Sequence, residues 1–541
     1  MSRCFLAVLL LYVIPIPTLP ARGDEPEPSV ETDEPAPVGP ALPPPIAGRD
    51  SGLRIDLSLD EAVAIALGRN LDVNIETLNA YQQHQNIGIA SAAFDPLFSS
   101  AYTMSKFRQP TVDTLSGLGS TTSILVNPFE TQSGNIGISG LMPIGTTYRL
   151  EARDDRSDNP NSTFFGFNPR NSTSITASIN QPLLKDFGYD VNLADLRIAR
   201  ESSAMARQEL EAQVNETIRS VIDAYWNLYF TYKDLEVRRS SLREAEQLLE
   251  INQHKLAAGT AKEVDVTQAQ ANIADQTSGI IQAENAVLTA QDTLLDLLNY
   301  KEVLREKEQL PRGRALYEHV RIALTTPLDF EEIHIDLENA IALALEQRPD
   351  LRRARHAIRS ATHAFRRADH NTLPTLDLSA SWTQLGLEKS IGDSWDELFS
   401  GRYYSWTVAL NFEYAIGNRA AHREHFRAKA ALESSRLELE RLENLAVLEV
   451  SRAVRDIRNA YRTVVARREQ VRLQRETLAG ERERLRVGIS TSFQVFEIQN
   501  DLLDAESQEL RARVDYKNAI TAYSRAVGVL RSEYSSVDPE E

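Results

Sequence analysis

The distribution of proline constrains this chain more than any other feature. None occurs from Leu183 to Leu310, and none from Thr375 to Val537. A proline inside a helix costs about 3 kcal/mol, so stretches this long without one can hold very long helices. Within them apolar residues recur every seven positions: Leu228, Leu235, Leu242, Leu249 and Leu256 in the first, Ile457, Val464, Val471, Leu478 and Leu485 in the second. That spacing keeps one apolar seam on a helix packed along a partner helix. The two ladders correspond residue by residue at an offset of 229 (Ile457 against Leu228, Leu485 against Leu256), which Tyr232 and Tyr461 share. The chain is internally duplicated.

A second match lies upstream. Leu59-Asp-Glu-Ala-Val-Ala-Ile-Ala-Leu67 parallels Leu337-Glu-Asn-Ala-Ile-Ala-Leu-Ala-Leu345 at an offset of 278. Each opens an amphipathic helix with Asp60 and Glu61, or Asp336 and Glu338, near the positive end of its dipole. The two offsets differ by 49, so the first half carries about that many extra residues between its first helix and its ladder. Each ladder ends at a glycine, Gly259 or Gly488, and a fresh apolar helix follows, from Val264 or from Phe493. Each half therefore holds a helical hairpin turned at glycine. Helices of about 65 residues, from about Asn192 to Leu256 and from about Arg419 to Leu485, extend roughly 100 Å. A compact globular core has no need of them.

Between the first and second helix of each half the period switches to two. Tyr404, Trp406, Val408, Leu410, Phe412 and Tyr414 alternate with small polar residues, as do Leu376, Leu378, Ala380 and Trp382. Ile175, Ala177 and Ile179 repeat the pattern in the first half, with Phe98, Tyr102 and Met104. Alternation at Ile136, Ile138 and at Tyr148, Leu150 indicates an additional hairpin there, which accounts for the surplus length. Such strands suit a membrane barrel with a wet lumen, with Trp382, Tyr404 and Tyr414 at the lipid–water boundary. Taken alone, the alternation fits a soluble sandwich better, where it is routine. Four strands cannot close a membrane barrel, so either they form a small soluble sheet or several chains share one barrel.

The ends of the chain speak to export. Arg3 precedes an apolar run, Phe5 to Ile14, cut off by Pro15, Pro17 and Pro20 and followed by small residues to Gly23: the layout of a signal peptide. The lone Cys4 precedes that run, so thiolate metal sites, disulfides and cysteine catalysis are not expected. The organisation reads as signal peptide 1–23, acidic proline-rich linker 24–50, first repeat 51–310, linker 311–335, second repeat 336–530 and tail 531–541. A net charge of −18 argues against a nucleic-acid partner. His422-Arg-Glu-His425 places two histidines on one helix face but lacks a third ligand, Gly117-Leu-Gly-Ser120 lacks the Lys-Ser/Thr of a phosphate loop, and Asn161-Ser-Thr and Asn171-Ser-Thr are chance sequons. No catalytic residue, cofactor or metal site is expected.

The chain beyond the linker resembles the TolC family of outer-membrane efflux proteins. The likeness rests on the Leu-x-Glu/Asp-x-Ala-Ile/Val helix opening both halves, on Gln181-Pro-Leu-Leu184 between strand and helix, and on the two glycine-tipped hairpins in repeated order. It implies a mainly α chain with a membrane β-barrel portion: long hairpins forming a periplasmic α-barrel, and four or more strands per chain in a shared barrel. It also implies a homotrimer in the outer membrane of a Gram-negative-type bacterium, in contact with outer-membrane lipid. Such a protein is a passive exit duct for efflux or type I secretion, opened by a periplasmic adaptor and driven by an inner-membrane transporter. In the family the hairpin tips meet the adaptor, which here corresponds to Leu256, Ala258, Gly259, Thr260, Leu485, Val487, Gly488, Ile489 and Ser490. Acidic rings beyond the tips map onto Gln494 and Glu497, with Asp265 the candidate in the first half. The alternative from a different class is a soluble exported coiled-coil scaffold or adaptor without a pore.

Overall fold

The computed structural model describes residues 53–112, 124–159, 168–259, 262–300 and 320–534. The signal peptide, the acidic linker, Thr260, Gly117–Ser120, Asn161–Thr163 and residues 535–541 lie outside them. The first half runs from strand β1 (Leu53–Leu57) through helices α1 (Leu59–Arg69) and α2 (Leu71–Ser91) to strands β2 (Leu97–Val112), β3 (Ile124–Leu141), β4 (Thr147–Asp158) and β5 (Arg170–Pro182). A helical turn, α3 (Tyr189–Asn192), leads into the hairpin α4 (Ala194–Ala257) and α5 (Glu263–Leu297). The second half runs through β6 (Val320–Leu324), α6 (Leu337–Gln347), α7 (Pro349–His370), β7 (Thr375–Glu388), α8 (Ile391–Phe399) and β8 (Tyr403–Glu413). It closes with the hairpin α9 (Arg419–Arg486) and α10 (Ser492–Val527) and a last turn, α11 (Leu530–Glu533).

The two offsets reappear as element boundaries. Helices α1 and α2 begin 278 residues before α6 and α7; α4 ends and α5 begins 229 residues before α9 ends and α10 begins. Local chemistry repeats with them. Ser58 and Glu61 form a capping box on α1, and the Asp336 side chain accepts from the Glu338 amide on α6. The second ladder forms a continuous seam, with Ile457, Val464, Val471, Leu478 and Leu485 all buried. The first drifts. Leu228 and Leu235 are buried, but Leu256 is 37% exposed and Ala245, Leu248 and Asn252 take the seam near the tip. There α4 also packs on α10 of the other hairpin, and a helix serving two partners cannot keep one seam.

Each long helix is flanked by a broken partner. The lower part of α4 packs on α5 and its upper part on α2, and these two helices meet end to end. Asn70 Nδ2 donates to the Leu297 carbonyl (2.9 Å), and Asn299 Nδ2 donates to the Arg69 carbonyl (3.2 Å). In the second half α10 meets α7, where Arg348 donates to the Ala526 carbonyl (3.2 Å), to Glu449 (2.6 Å) and to Asp350 (2.7 Å). Asn299 and Gly528 are separated by 229 residues and both have positive φ, 44° and 87°. The left-handed region suits Asn and Gly, and here it ends one helix where the next begins. The largest core cluster lies at the first of these joints: Ile218, Val221, Ile222, Tyr225 and Leu228 of α4 against Ala62, Val63, Ala66, Leu294, Leu295 and Leu298. Burying each large apolar side chain stabilises by about 1.5–3 kcal/mol. The segment read as a linker, 311–335, contains β6, which pairs in parallel with β1 beside this core. Ion pairs join the halves higher up: Arg353 with Glu209, Arg367 with Asp195, and Glu201 with both His356 (2.7 Å) and Arg359 (3.0 Å).

All other strands form one antiparallel sheet in the order β2-β3-β4-β5-β7-β8. The expected extra hairpin is β3–β4, and it lies inside this sheet between β2 and β5.

Candidate functional site

The register gives the sheet two unlike faces. One row of directly paired residues crosses all six strands: Phe98, Ile138, Leu150, Ala177, Trp382 and Trp406. The adjoining row adds Tyr148, Ile179, Ala380 and Val408. Trp406 is 69% exposed, and Phe98, Leu150, Val408, Leu410 and Phe412 are also exposed. On the other face the matching row reads Ser99, Gly137, Glu151, Thr176, Thr383 and Ser405. Along β7 the small polar residues Ser379, Ser381 and Thr383 are half-buried while Leu378, Ala380 and Trp382 are exposed. This inverts the rule for a soluble sheet, whose apolar face packs on a core. Helix α8 reaches only the end of the sheet far from the long helices, where Thr173 Oγ1 donates to the Ser394 carbonyl (2.8 Å) and Gly386 leaves room for the α8 backbone. An apolar band backed by a polar face is the wall of a transmembrane barrel.

The chain is unfinished along the same two sides in both layers. The sheet ends at β2 and β8. Helix α2, which leads into β2, exposes Leu71, Ile75, Leu78 and Ile89 on one stripe, and α5 below it exposes Ile281 and Leu288. Helix α9, which follows β8, exposes Phe426, Leu437 and Leu448.

At the second tip Gly488, φ +83°, ends α9: its amide donates to the Leu485 carbonyl (3.2 Å) and the Ile489 amide to the Arg484 carbonyl (2.9 Å). These two bonds make a Schellman motif, which leaves Val487 (54%) and Ile489 (70%) exposed at the turn. The arginine Arg486 beside it holds the exposed Glu483 carboxyl below its usual range through a hydrogen bond. At the first tip Gly259, φ +75°, donates to the Leu256 carbonyl (2.9 Å), and Ala258 is exposed. Ser490 bonds Glu481 and Gln494 (2.9 Å).

Two of the three expected constriction residues are capping residues. Asp265 accepts from the Lys262 amide (3.0 Å) at the start of α5, and Gln494 exchanges hydrogen bonds with Thr491 at the start of α10. They stand 229 residues apart and occupy the same place in the two repeats. Glu497, one turn further along, is exposed.

Contacts between the two hairpins were not foreseen. Glu244 of α4 pairs with Arg482 of α9 and accepts from Gln499 of α10 (3.3 Å). Ser492 Oγ donates to Asn252 (2.8 Å), which is 1% exposed, and Ser507 Oγ donates to Asp234 (2.5 Å). The only sequence signal is a polar residue close to an apolar ladder, as Asp234 is beside Leu235. Away from the tips, His425 faces Asp369 (3.1 Å) and Phe365, and among the described residues no group of three His, Cys, Asp or Glu is arranged to hold a metal ion.

Comparison with known proteins agrees with this geometry. The sequence matches the family described as outer membrane efflux protein over residues 148–300 and 340–529. It is 21% identical over 477 residues to the outer membrane efflux protein BepC of Brucella suis biovar 1, covering 88% of this chain and 86% of that one. The pyoverdine export outer membrane protein OpmQ of Pseudomonas putida is 24% identical over 369 residues, covering 66% and 71%. In fold it is similar to the CmeC outer membrane channel of Campylobacter jejuni, with a TM-score of 0.61 at 15% identity over 89% of this chain and 90% of the other. The open state of the MtrE channel of Neisseria gonorrhoeae gives 0.59 at 18%, covering 87% and 88%. The family match covers more than half of the chain and includes both hairpins, and the chain belongs to the outer membrane efflux protein family.

Proposed function

We propose that this outer-membrane efflux channel works as a homotrimer, a passive conduit opened when a periplasmic adaptor grips its hairpin tips and fed by an inner-membrane transporter. The observation that carries the trimer is the coincidence of unsatisfied sides: β2 and the α2 stripe on one, β8 and the exposed α9 residues on the other. A surface whose two halves lie on opposite sides of a protomer makes a head-to-tail contact, which closes into a ring at a fixed number of copies. Closure buries the helix stripes, pairs the strand edges and leaves the apolar band to lipid. A water-soluble scaffold would leave that band against water.

In this reading Leu256, Ala258, Gly259 and Thr260 with Leu485, Val487, Gly488, Ile489 and Ser490 form the adaptor-facing end. Three copies of Glu497 provide the acidic ring, because Asp265 and Gln494 are occupied as caps. The test is outer-membrane fractionation of the full chain, mass determination of the purified protein, and conductance in a planar lipid bilayer. A conducting trimer is expected. A water-soluble monomer without conductance refutes the proposal.

A further inference from the structure

We infer that the transmembrane barrel of this protein has eighteen strands, six from each of three chains, rather than the twelve that four strands per chain provide. The inference rests on the trimer proposed above. Its observations are the sheet order, the register and the seating of the inserted hairpin.

The first is continuity. Strand β2 does not pair with β5; β3 and β4 stand between them with unbroken ladders on both sides, from Leu97 with Ser139 through to Thr147 with Asn180. The apolar row enters β3 at Ile138 and leaves β4 at Leu150 without changing face. A hairpin folded away from the wall has no reason to keep that parity, since a one-residue slip would reverse it.

The second is charge. Strand β4 carries Arg149, Glu151, Arg153 and Asp155 at alternate positions, all on the face opposite Tyr148, Leu150 and Ala152. They neutralise each other in pairs, Arg149 with Glu151 (2.6 Å) and Arg153 with Asp155 (2.7 Å), and Ser133 of β3 donates to Asp155 (2.6 Å). Charges on a lipid-facing side are destabilising, whereas a wet lumen accepts them. Asp154 and Arg156 share the face of Leu150 but lie beyond the apolar rows, level with Thr173 where α8 covers the sheet, so across the apolar band the inserted strand obeys the wall's own rule.

The third is the lower turn. Met142–Thr146 is built into the joint between β5 and α4: the Gly188 amide donates to the Ile144 carbonyl (3.0 Å), and the Thr146 hydroxyl bonds Gln181. Gly145, φ +96°, lies so close to the Asp186 carbonyl and Asn192 that a side chain would not fit. The hairpin is therefore fixed at the level where the wall meets the helices.

With strands about 4.8 Å apart and tilted by about 40°, eighteen strands give a backbone diameter of roughly 36 Å, against roughly 24 Å for twelve. An exit half again as wide leaves size selection to the periplasmic end and lines the lumen with three stripes of paired charge.

The experiment is electron cryo-microscopy of the full-length protein in lipid nanodiscs, at a resolution that separates strands. Three-fold particles with eighteen strands, β2 of each chain beside β8 of the next, are expected. Three-fold particles with any other count, or with β3–β4 outside the wall, overturn the inference and leave the duct intact. Particles without three-fold symmetry overturn both.

Discussion

If the hairpins part when the channel opens, the polar contacts between them hold the closed state, and removing these contacts should open it. The perturbation is Glu244→Ala with Ser492→Ala. Glu244 loses Arg482, an ion pair whose side chains are 46% and 41% exposed, together with Gln499. A pair so exposed contributes about 0.5 kcal/mol. Ser492→Ala removes the donor to Asn252, a group only 1% exposed, which costs about 1.5 kcal/mol. The two sites lie eight residues apart on α4, about 12 Å by helical rise, so the effects add. The sum is about 2 kcal/mol per chain, and about 6 kcal/mol if three chains open together, a shift of roughly 10⁴ in the open-to-closed ratio. Single-channel conductance in a planar bilayer reads this directly, with native gels confirming an intact trimer. The double variant should dwell in a high-conductance state without adaptor, and Glu244→Ala alone should do so only weakly. A double variant that conducts like the parent protein refutes the idea that the hairpins part along these contacts.

Other outcomes follow from single positions. Gly528→Ala should lower the melting midpoint of the purified trimer more than Gly488→Ala. Both place alanine at positive φ, about 1–2 kcal/mol, but only at Gly528 does the new Cβ meet backbone, Arg348 at 3.0 Å. Val487→Asp and Ile489→Asp should abolish export in a cell-based efflux assay while trimer yield is unchanged; normal export would show that the tip at Gly488 is not the contact. Burial opposes the charge on Asp350, yet the Arg348 guanidinium outweighs it and holds the carboxyl below its usual range. A depressed folded value contributes stability fully above the ordinary carboxylate pKa of about 3.9 and loses it as pH falls through the folded value. Melting midpoints measured from neutral to acid pH should therefore drop at the acid end, and an Arg348→Met variant should lose that part of the drop. Tyr225→Phe, which removes a hydroxyl that donates to the Leu57 carbonyl (3.1 Å) and accepts from the Thr326 amide (3.2 Å), should destabilise by about 1–2 kcal/mol in the same assay.

Periodicity carried most of the architecture. Seven-residue ladders and two fixed offsets foretold both long helices and the starts of their returning helices to within two residues, because helix length and pairing are local properties of an apolar seam. The pair β1–β6 escaped because five-residue strands, Leu53-x-Ile55-x-Leu57 and Val320-x-Ile322-x-Leu324, are too short to stand out. Strands β3 and β4 were faint for another reason: Gly134, Gly137 and Gly140 interrupt the alternation in β3, and four charges occupy the polar positions of β4. The capping role of Gln494 is legible after the fact, since Thr491-Ser-Phe-Gln494 is a capping-box pattern, whereas that of Asp265 is not, because Lys262 stands at the cap position. Partners such as Glu244 and Arg482 were not, because their meeting depends on the rotation of one hairpin against another 238 residues away.

The inserted hairpin also explains why a wall of this kind grows by two strands at a time. Strand β2 rises from the end of α2, and whatever follows must bring the chain back to where α4 begins. A single added strand would deliver α4 to the outer surface of the cell, on the wrong side of the membrane from α2, the partner of its upper part. A hairpin returns the chain to its starting side, so the helices below keep their register and the duplication stays intact. Diameter in the membrane and design in the periplasm are thereby uncoupled. The bore of the exit can be altered without disturbing the hairpin tips proposed to meet the adaptor.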